Sequence, residues 1–541
     1  MDSTMQHVQL GVAGIFEHGR LVHPHSRVVH YRGDEAMVDR TFADFAGDAV
    51  RLANALGDIG IGAGDVVATL AWNTPAHLAA YLAVPSVGAV LHTLNLRLHD
   101  DQLAYIIEQA GDRAVLVDGS LAGQLERILP RTPGVRDVII DGGATFIAPD
   151  GVRVHRYTDL LTAAAATITW PEVDERSTAA LCYTSGTTGN PKGVAYSHRS
   201  IHLHTLQVST GSAFGFSDAD RILPIVPMFH ANAWGWPHAA WLAGADIVLN
   251  DRYLQADHLA RIISDVRPSA AAAVPTVWSG LADVAESRPV DYSSLRLAVS
   301  GGSPLSVDLI ERMRRHGVTL YQGWGMTETS PLLTFSRPEP DTAAADIPER
   351  LAMTGHLIPG VQVRLMDLDR RGALPWDGES IGEIQLRGNT ITGAYLGGHG
   401  AEAFDGGWLR TGDLGVIHPG GWVHIKDRLK DGIKSGGEWI STMELEAQLL
   451  RHPGVAEAAV FGVPDAKWEE RPLVCVTLRP GIAVTAGELR AFLSDRVARW
   501  WVPERWAFLP ELPKTTVGKL DKRRLRTEFG DGTLTVHTVD H

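Results

Sequence analysis

Between residues 65 and 117 the pattern of side chains keeps changing period. "DVVATLAW" reads as a buried strand. "TPAHLAAYLAVPS" reads as a helix with proline near its start. "GAVLHTLN" is again a strand, "DDQLAYIIEQAG" a helix with an aspartate cap and a glycine stop, and "RAVLVDG" a third strand. Parallel strands need a long crossover, usually a helix, so this rhythm predicts a parallel sheet covered by helices. It recurs around 243–300, where "ADIVLN", "DHLARIISDV", "AAAAVP" and "LRLAVSGG" follow in order. The expected class is α/β, with a large N-terminal domain of parallel-rich sheets.

The composition shifts near 426–440. "KDRLKDGIKSGGEWI" packs three lysines and two adjacent glycines into a short span. Ser441 and Glu444 then fit a capping box before an apolar helix face. We place a domain boundary near Lys430: 1–429 large, 430–541 small and α+β. The polar, proline-bearing stretch 336–350 reads as a surface loop, and the tail "GDGTLTVHTVDH" is expected to fray.

Charge and cysteine usage narrow the function. The chain carries 49 basic and 63 acidic residues, a net charge of −14, with no long basic run. Phosphate-backbone binding needs clustered positive charge, so no nucleic-acid partner is expected. Cys182 and Cys475 are the only cysteines and lie far apart, which argues against a disulfide framework and for a reducing compartment. No secretory leader or long uninterrupted apolar run is visible, so the expected location is cytoplasmic, with no transmembrane segment.

Lys192 is the only lysine in the first 425 residues; elsewhere that region uses arginine. It sits in "YTSGTTGNPKGVAYSH". Glycines there permit close backbone approach, Thr184, Ser185, Thr187 and Thr188 supply hydroxyls, and successive N–H groups can form an anion nest. An ammonium on a flexible stem suits mobile phosphates. The sum is a polyphosphate cradle. It is not a Walker A loop, because Pro191 precedes the lysine and Gly193 follows it. His198, His202 and His204 lie nearby, but no carboxylate or cysteine completes a zinc set.

The loop "YTSGTTGNPKGV" resembles the signature of the adenylate-forming superfamily: acyl-CoA synthetases, firefly-type luciferases and peptide-synthetase adenylation domains. "PMFHANAW" (227–234), "SGGSPL" (300–305), "YQGWGMTETSP" (321–331), "WLRTGDLG" (408–415), "DRLKDGIKSGGEWIS" (427–441) and "PKTTVGKLDK" (513–522) follow in the family's order. The likeness is greatest to medium- and long-chain fatty acyl-CoA synthetases. It implies a carboxylic acid, ATP and CoA as substrates, Mg²⁺ as cofactor, a mobile C-terminal domain and a homodimer. The alternatives are a ligase for aromatic or steroid-type acids and an enzyme that loads a carrier protein.

The resemblance also distributes roles. Thr184, Ser185, Gly186, Thr187, Thr188 and Lys192 hold phosphates. Gly302, Gln322, Gly323, Trp324 and Thr327 contact the nucleotide, Trp324 by stacking on adenine. Asp413 takes the ribose diol, with Arg428 and Lys430 beside it. Glu328 and Thr184 are hard oxygen donors for Mg²⁺. His230, Ala231 and Trp234 line the acyl site, the tryptophan as gate. Lys519 serves adenylation. Lys434 serves nucleotide and catalysis. Gly436, Gly437, Glu438 and Trp439 face CoA. Asp427 departs from the family, which usually has glycine there.

Overall fold

The computed structural model describes residues 3–184, 190–368, 372–435, 438–514 and 520–539. Among them are three sheets. One has seven strands, ordered Arg153–Arg156, Asp137–Asp141, Asp112–Asp118, Val66–Leu70, Val90–Thr93, Thr178–Tyr183 and Gly193–Ser197. Every neighbouring pair is parallel except the last, a hairpin whose ends are Tyr183 and Gly193. The strand–helix rhythm at 65–117 therefore produces the expected parallel sheet.

The second sheet has 14 strands and two characters. Arg27–His30, Asp246–Leu249, Arg221–Pro224, Ala270–Ala273, Leu297–Gly301 and Leu320–Gly325 run parallel. From Leu332–Phe335 onward the pairing is antiparallel, ending in the hairpin of Trp408–Ile417 and Trp422–Arg428 with its neighbours. "AAAA" at 270–273 would favour a helix by propensity. Between two buried strands it is a strand with every residue covered, because packing overrides propensity.

The largest core lies between these sheets. It joins Val67, Leu91 and Ala114 from one to Val28, Ile222 and Ile247 from the other. The helix Pro75–Ser86 fills the middle and is apolar on all sides, as a helix with no solvent face must be. Asn73 stitches the layers: its amide donates to Pro224 O at 2.8 Å and its oxygen accepts from Met228 N at 2.7 Å.

A third, six-stranded sheet is built from residues 433–538. It packs the helices Thr442–Leu450 and Ala486–Ser494 over its own core. The molecule thus has a large N-terminal domain and a smaller C-terminal one.

Three local expectations need correction. The tail does not fray along its whole length: His537–Thr538 pairs with Arg505 and Trp506, and Leu534 is buried. The helix Asp100–Ala110 is capped by His99, with Asp100 and Asp101 in its first turn. The stretch 336–350 is not loop throughout, since the helix Ile347–Ala352 begins inside it and buries Pro348 and Leu351.

Candidate active site

The glycine-rich loop closes the hairpin between Thr178–Tyr183 and Gly193–Ser197. Thr184 N donates to Lys192 O at 3.0 Å, and Lys192 N donates to Thr184 Oγ1 at 3.2 Å, so the neck of the loop is closed. Ser185, Gly186, Thr187 and Thr188 lie outside the described residues. A side chain at Gly193 would press on the Tyr183 ring and on Leu396, which is why the lysine is followed by glycine.

Lys192 and Glu328 share one partner. The Tyr395 hydroxyl donates to Glu328 Oε1 at 2.6 Å. The Lys192 ammonium lies 4.9 Å from the centre of the same ring, a cation–π contact. Its second contact is Glu402 Oε1 at 3.4 Å. Burial, and then the Glu328 carboxylate, push the Tyr395 phenol above its ordinary value, so it stays a donor. Glu328 is buried, on the turn Thr327–Thr329. Its carbonyl accepts from Thr392 N at 2.8 Å, and Ser330 Oγ donates to Thr390 O at 2.9 Å, tying 390–395 to the turn. Tyr196 OH donates to Thr327 O at 2.6 Å, anchoring the turn to the loop's own strand.

This donor set fits a magnesium ion. Mg²⁺ takes hard oxygens, uses one or two protein carboxylates and keeps water or substrate phosphates in its other positions. Glu328 supplies a buried carboxylate, and Thr184 a hydroxyl at the neck of the loop that also carries Lys192. No group of three or more histidine, cysteine or acidic side chains able to hold a metal occurs among the described residues.

The other nucleotide candidates converge at the strand Leu320–Gly325 and the hairpin around Asp413. The Trp324 indole N–H donates to Asp413 Oδ2 at 3.2 Å, and Arg428 Nε lies 2.6 Å from Asp413 Oδ1. Trp324 is largely buried and packs with Leu333, Leu365 and Ile384. Gln322 already uses its side-chain oxygen, which accepts from Leu305 N at 2.8 Å and holds the loop that contains Gly302. Gly302 takes φ +83°, in the left-handed region that favours glycine. Gly323 lies one step before Trp324 on the same strand. Burial pulls the Lys430 ammonium below its ordinary value.

Asp427 sits in the strand Trp422–Arg428, opposite Leu414 and beside a register shift that leaves Lys426 unpaired in the ladder. Its carboxylate accepts from the backbone of Arg428 and from Thr442 N and Oγ1. Thr442 opens the helix Thr442–Leu450, so an acceptor is placed on that helix's first turn. Lys522 Nζ completes the group, 2.8 Å from both Thr442 Oγ1 and Glu446 Oε1. Burial pulls Lys522 down, but Glu446 and Asp427 outweigh it and hold the ammonium above its ordinary value.

Lys434 is exposed on the strand Ile433–Ser435, directly opposite Trp439. Its N–H donates to Glu470 Oε2 at 3.1 Å. The Trp439 ring covers Gly432. Gly436, Gly437 and Lys519 lie outside the described residues, as does the side chain of Glu438.

The last group is at 230–235. Ala231, Asn232, Ala233 and Trp234 have φ of 42°, 52°, 47° and 58°, and Gly235 has 77°. Left-handed helix costs L-residues roughly 1–2 kcal/mol each, so a run of four without glycine must be held by its surroundings. Ala231 and Trp234 are buried, and His230 leads into the turn.

The models of the AMP-binding enzyme family match residues 16–396 and, for its C-terminal domain, residues 444–519. The chain belongs to the AMP-binding enzyme family. A 3-methylmercaptopropionyl-CoA ligase of Ruegeria pomeroyi is 37% identical over 97% of this chain and 98% of its own. A long-chain-fatty-acid–CoA ligase of Thermus thermophilus is 40% identical over 97% of each. Among solved structures, the anthranilate CoA ligase AuaEII in complex with anthranoyl-AMP superposes with a TM-score of 0.88 at 25% identity, covering 98% of this chain and all of that one. No helix among the described residues is long and apolar enough to cross a membrane.

Sequence reasoning missed Tyr395, Glu402 and Tyr196. Tyr395 lies in "ITGAYLGGHG", which carries no charge run or spacing signal. Its partner Glu328 is 67 positions away in sequence.

Proposed function

We propose that this AMP-forming acyl-CoA ligase activates a medium- or long-chain fatty acid. A carboxylate oxygen attacks the α-phosphorus of ATP, giving acyl-adenylate and pyrophosphate. The CoA sulfur then attacks the acyl carbon and releases AMP. The observation that carries the reading is Tyr395, which touches both Lys192 and Glu328 and so brings a cation and a metal-type donor to the mouth of the glycine-rich loop.

Each residue has a physical task. Lys192 and the loop hydroxyls hold the triphosphate, and Lys192 accompanies the departing pyrophosphate. Its contact with Glu402 is exposed, so phosphate oxygens can replace that carboxylate at little loss. Magnesium, held by Glu328 and Thr184, would neutralise phosphate charge when bound. Asp413 accepts from the ribose hydroxyls, and Trp324, Gln322, Gly302, Gly323 and Thr327 form the nucleotide wall. Arg428 and Lys430 keep positive charge beside it. Lys519 offsets charge in the adenylation step. Lys434 and the loop Gly436–Trp439 then serve thioester formation, after the small domain turns about Lys430. His230, Ala231 and Trp234 border the acid.

The buried, tryptophan-lined 230–235 segment favours an apolar acyl chain, and a fatty-acid ligase among the relatives supports this choice. The same reading carries a cytoplasmic location and a homodimer, testable by fractionation and light scattering. Pyrophosphate release, with and without CoA, over hexanoate, octanoate, palmitate, 3-methylmercaptopropionate and benzoate tests the substrate class. Greatest kcat/KM on octanoate or palmitate is expected. Preference for 3-methylmercaptopropionate or benzoate would reject the fatty-acid reading, and turnover only with a carrier protein would reject CoA as acceptor.

A further inference from the structure

The left-handed run at 231–235 has a specific holder. Asn232 is buried, and its carboxamide oxygen faces polar side chains from three different elements. Cys182 Sγ, on the strand Thr178–Tyr183, donates to it at 3.0 Å. The Tyr81 hydroxyl, on the helix Pro75–Ser86, lies 3.3 Å away, and Thr93 Oγ1, on Val90–Thr93, 3.5 Å away. Tyr81 also donates to Met228 O, fixing the chain just before the turn. Burial pushes the Cys182 thiol up to about 11, so it keeps its proton. Tyr81 gives its one proton to Met228 O, so the Cys182 thiol, the nearest of the three at 3.0 Å, is the donor that the carboxamide oxygen meets.

The other end of the run is equally constrained. A side chain at Gly235 would meet His204 at 2.7 Å. The Trp234 ring lies against Gly301: a Cβ there would come within 3.0 Å of Cη2. Gly301 ends the strand Leu297–Gly301 and precedes Gly302 of the nucleotide wall. The indole therefore sits between the acyl side and the nucleotide side, on a backbone that L-residues adopt only when held.

We propose that Asn232 is the positioning residue of the acyl gate: its oxygen, pinned by the Cys182 thiol, holds the left-handed turn and seats Trp234 on Gly301. This rests on the reading of Trp234 as the gate. Asparagine suits the position twice over, because it tolerates left-handed backbone and supplies the acceptor. Loss of the acceptor frees the turn, and the indole no longer defines the end of the acyl site.

The test separates backbone conformation from side-chain clamp. Asn232→Gly keeps a residue that adopts this φ without strain, so folding is spared while the clamp is lost. Cys182→Ala removes the donor and Cys182→Ser retains one. We expect Asn232→Gly and Cys182→Ala each to raise the KM for octanoate about tenfold and flatten the preference among hexanoate, octanoate and palmitate, with the KM for ATP within about twofold. Cys182→Ser should stay near the wild type. An unchanged chain-length profile in Asn232→Gly, or equal shifts in the KM for acid and ATP, overturns the proposal. Trp234→Ala is the control. If it leaves the profile unchanged, the gate reading itself is wrong; if it flattens the profile and Asn232→Gly does not, only the clamp is wrong.

Discussion

Tyr395 donates to Glu328 at 2.6 Å while its ring carries the ammonium of Lys192, so one side chain bears on both of the groups proposed to serve the triphosphate. The hydroxyl occupies one carboxylate oxygen and orients the other. Tyr395→Phe keeps the ring and loses only that bond. The Mg²⁺ concentration for half-maximal pyrophosphate release should rise several-fold, by about 5–10, with a small change in the KM for ATP. Tyr395→Leu also removes the cation–π face and should raise the KM for ATP as well. Identical behaviour of the two variants would show that the hydroxyl and the ring are not separate handles.

Lys519 and Lys434 are assigned to different half-reactions, and the assignment can be split kinetically. Lys519→Ala should slow adenylation by about 10²–10³-fold, the usual scale for losing one group that meets developing charge. Thioester formation from supplied acyl-adenylate and CoA should be little changed. Lys434→Ala should do the reverse, sparing acid-dependent pyrophosphate release. Equal losses in both steps for either variant would contradict the division of labour.

The candidate site is most readable in sequence where its proposed chemistry is local. A lone lysine among glycines and hydroxyls suggests phosphate because every element of the proposed cradle lies within one stretch of sequence. Asp413 and Arg428 were readable from separate motifs, and they meet because two antiparallel strands put them opposite each other. What sequence could not reveal depends on distant partners. Tyr395 acquires a role only where the fold lays it against Glu328. Asp427 looked like a misfit for a glycine position, and its reason is the first turn of a helix 15 residues on. The strand at His537–Thr538 exists because Arg505–Phe508 offers an edge and Leu534, Val536 and Val539 pack onto the cores beside it.

Lys522 makes a different claim, about stability. Its ammonium is buried between Glu446 and Asp427, and Asp427 belongs to the large sheet's strand while Glu446 belongs to the smaller domain's helix. Removing one member of a buried ion group leaves the others uncompensated, which typically costs about 3–5 kcal/mol. Lys522→Met should therefore lower the urea midpoint of the C-terminal domain substantially. Adding Glu446→Gln should recover part of the loss, because the stranded charge is gone. A single-variant change below ~1 kcal/mol would mean that water already solvates the group.

Acid should loosen the large domain before it touches catalysis by name. His77, His204 and His238 are buried between the two large sheets, and burial lowers their values to about 4, 3 and 4. Unfolded, each titrates near the ordinary 6.5. Between those limits the unfolded chain binds protons that the folded chain refuses. Stability from this source is therefore complete well above pH ~6.5, falls as pH drops toward 4 for His77 and His238 and toward 3 for His204, and changes little below that. At pH 5 each histidine should have withdrawn roughly 2 kcal/mol. Three such groups approach the whole stability of an ordinary domain, about 5–15 kcal/mol. Urea unfolding followed by tryptophan fluorescence at pH 8, 6.5 and 5 should show midpoints that fall steeply over the lower interval. His77 Nδ1 donates to the Trp72 carbonyl at 2.9 Å and Nε2 accepts from Thr69 Oγ1 at 3.0 Å, so His77→Gln keeps a hydrogen-bonding side chain without a titrating ring. That variant should show a shallower slope, and a slope as steep as the wild type's would remove His77 from the account.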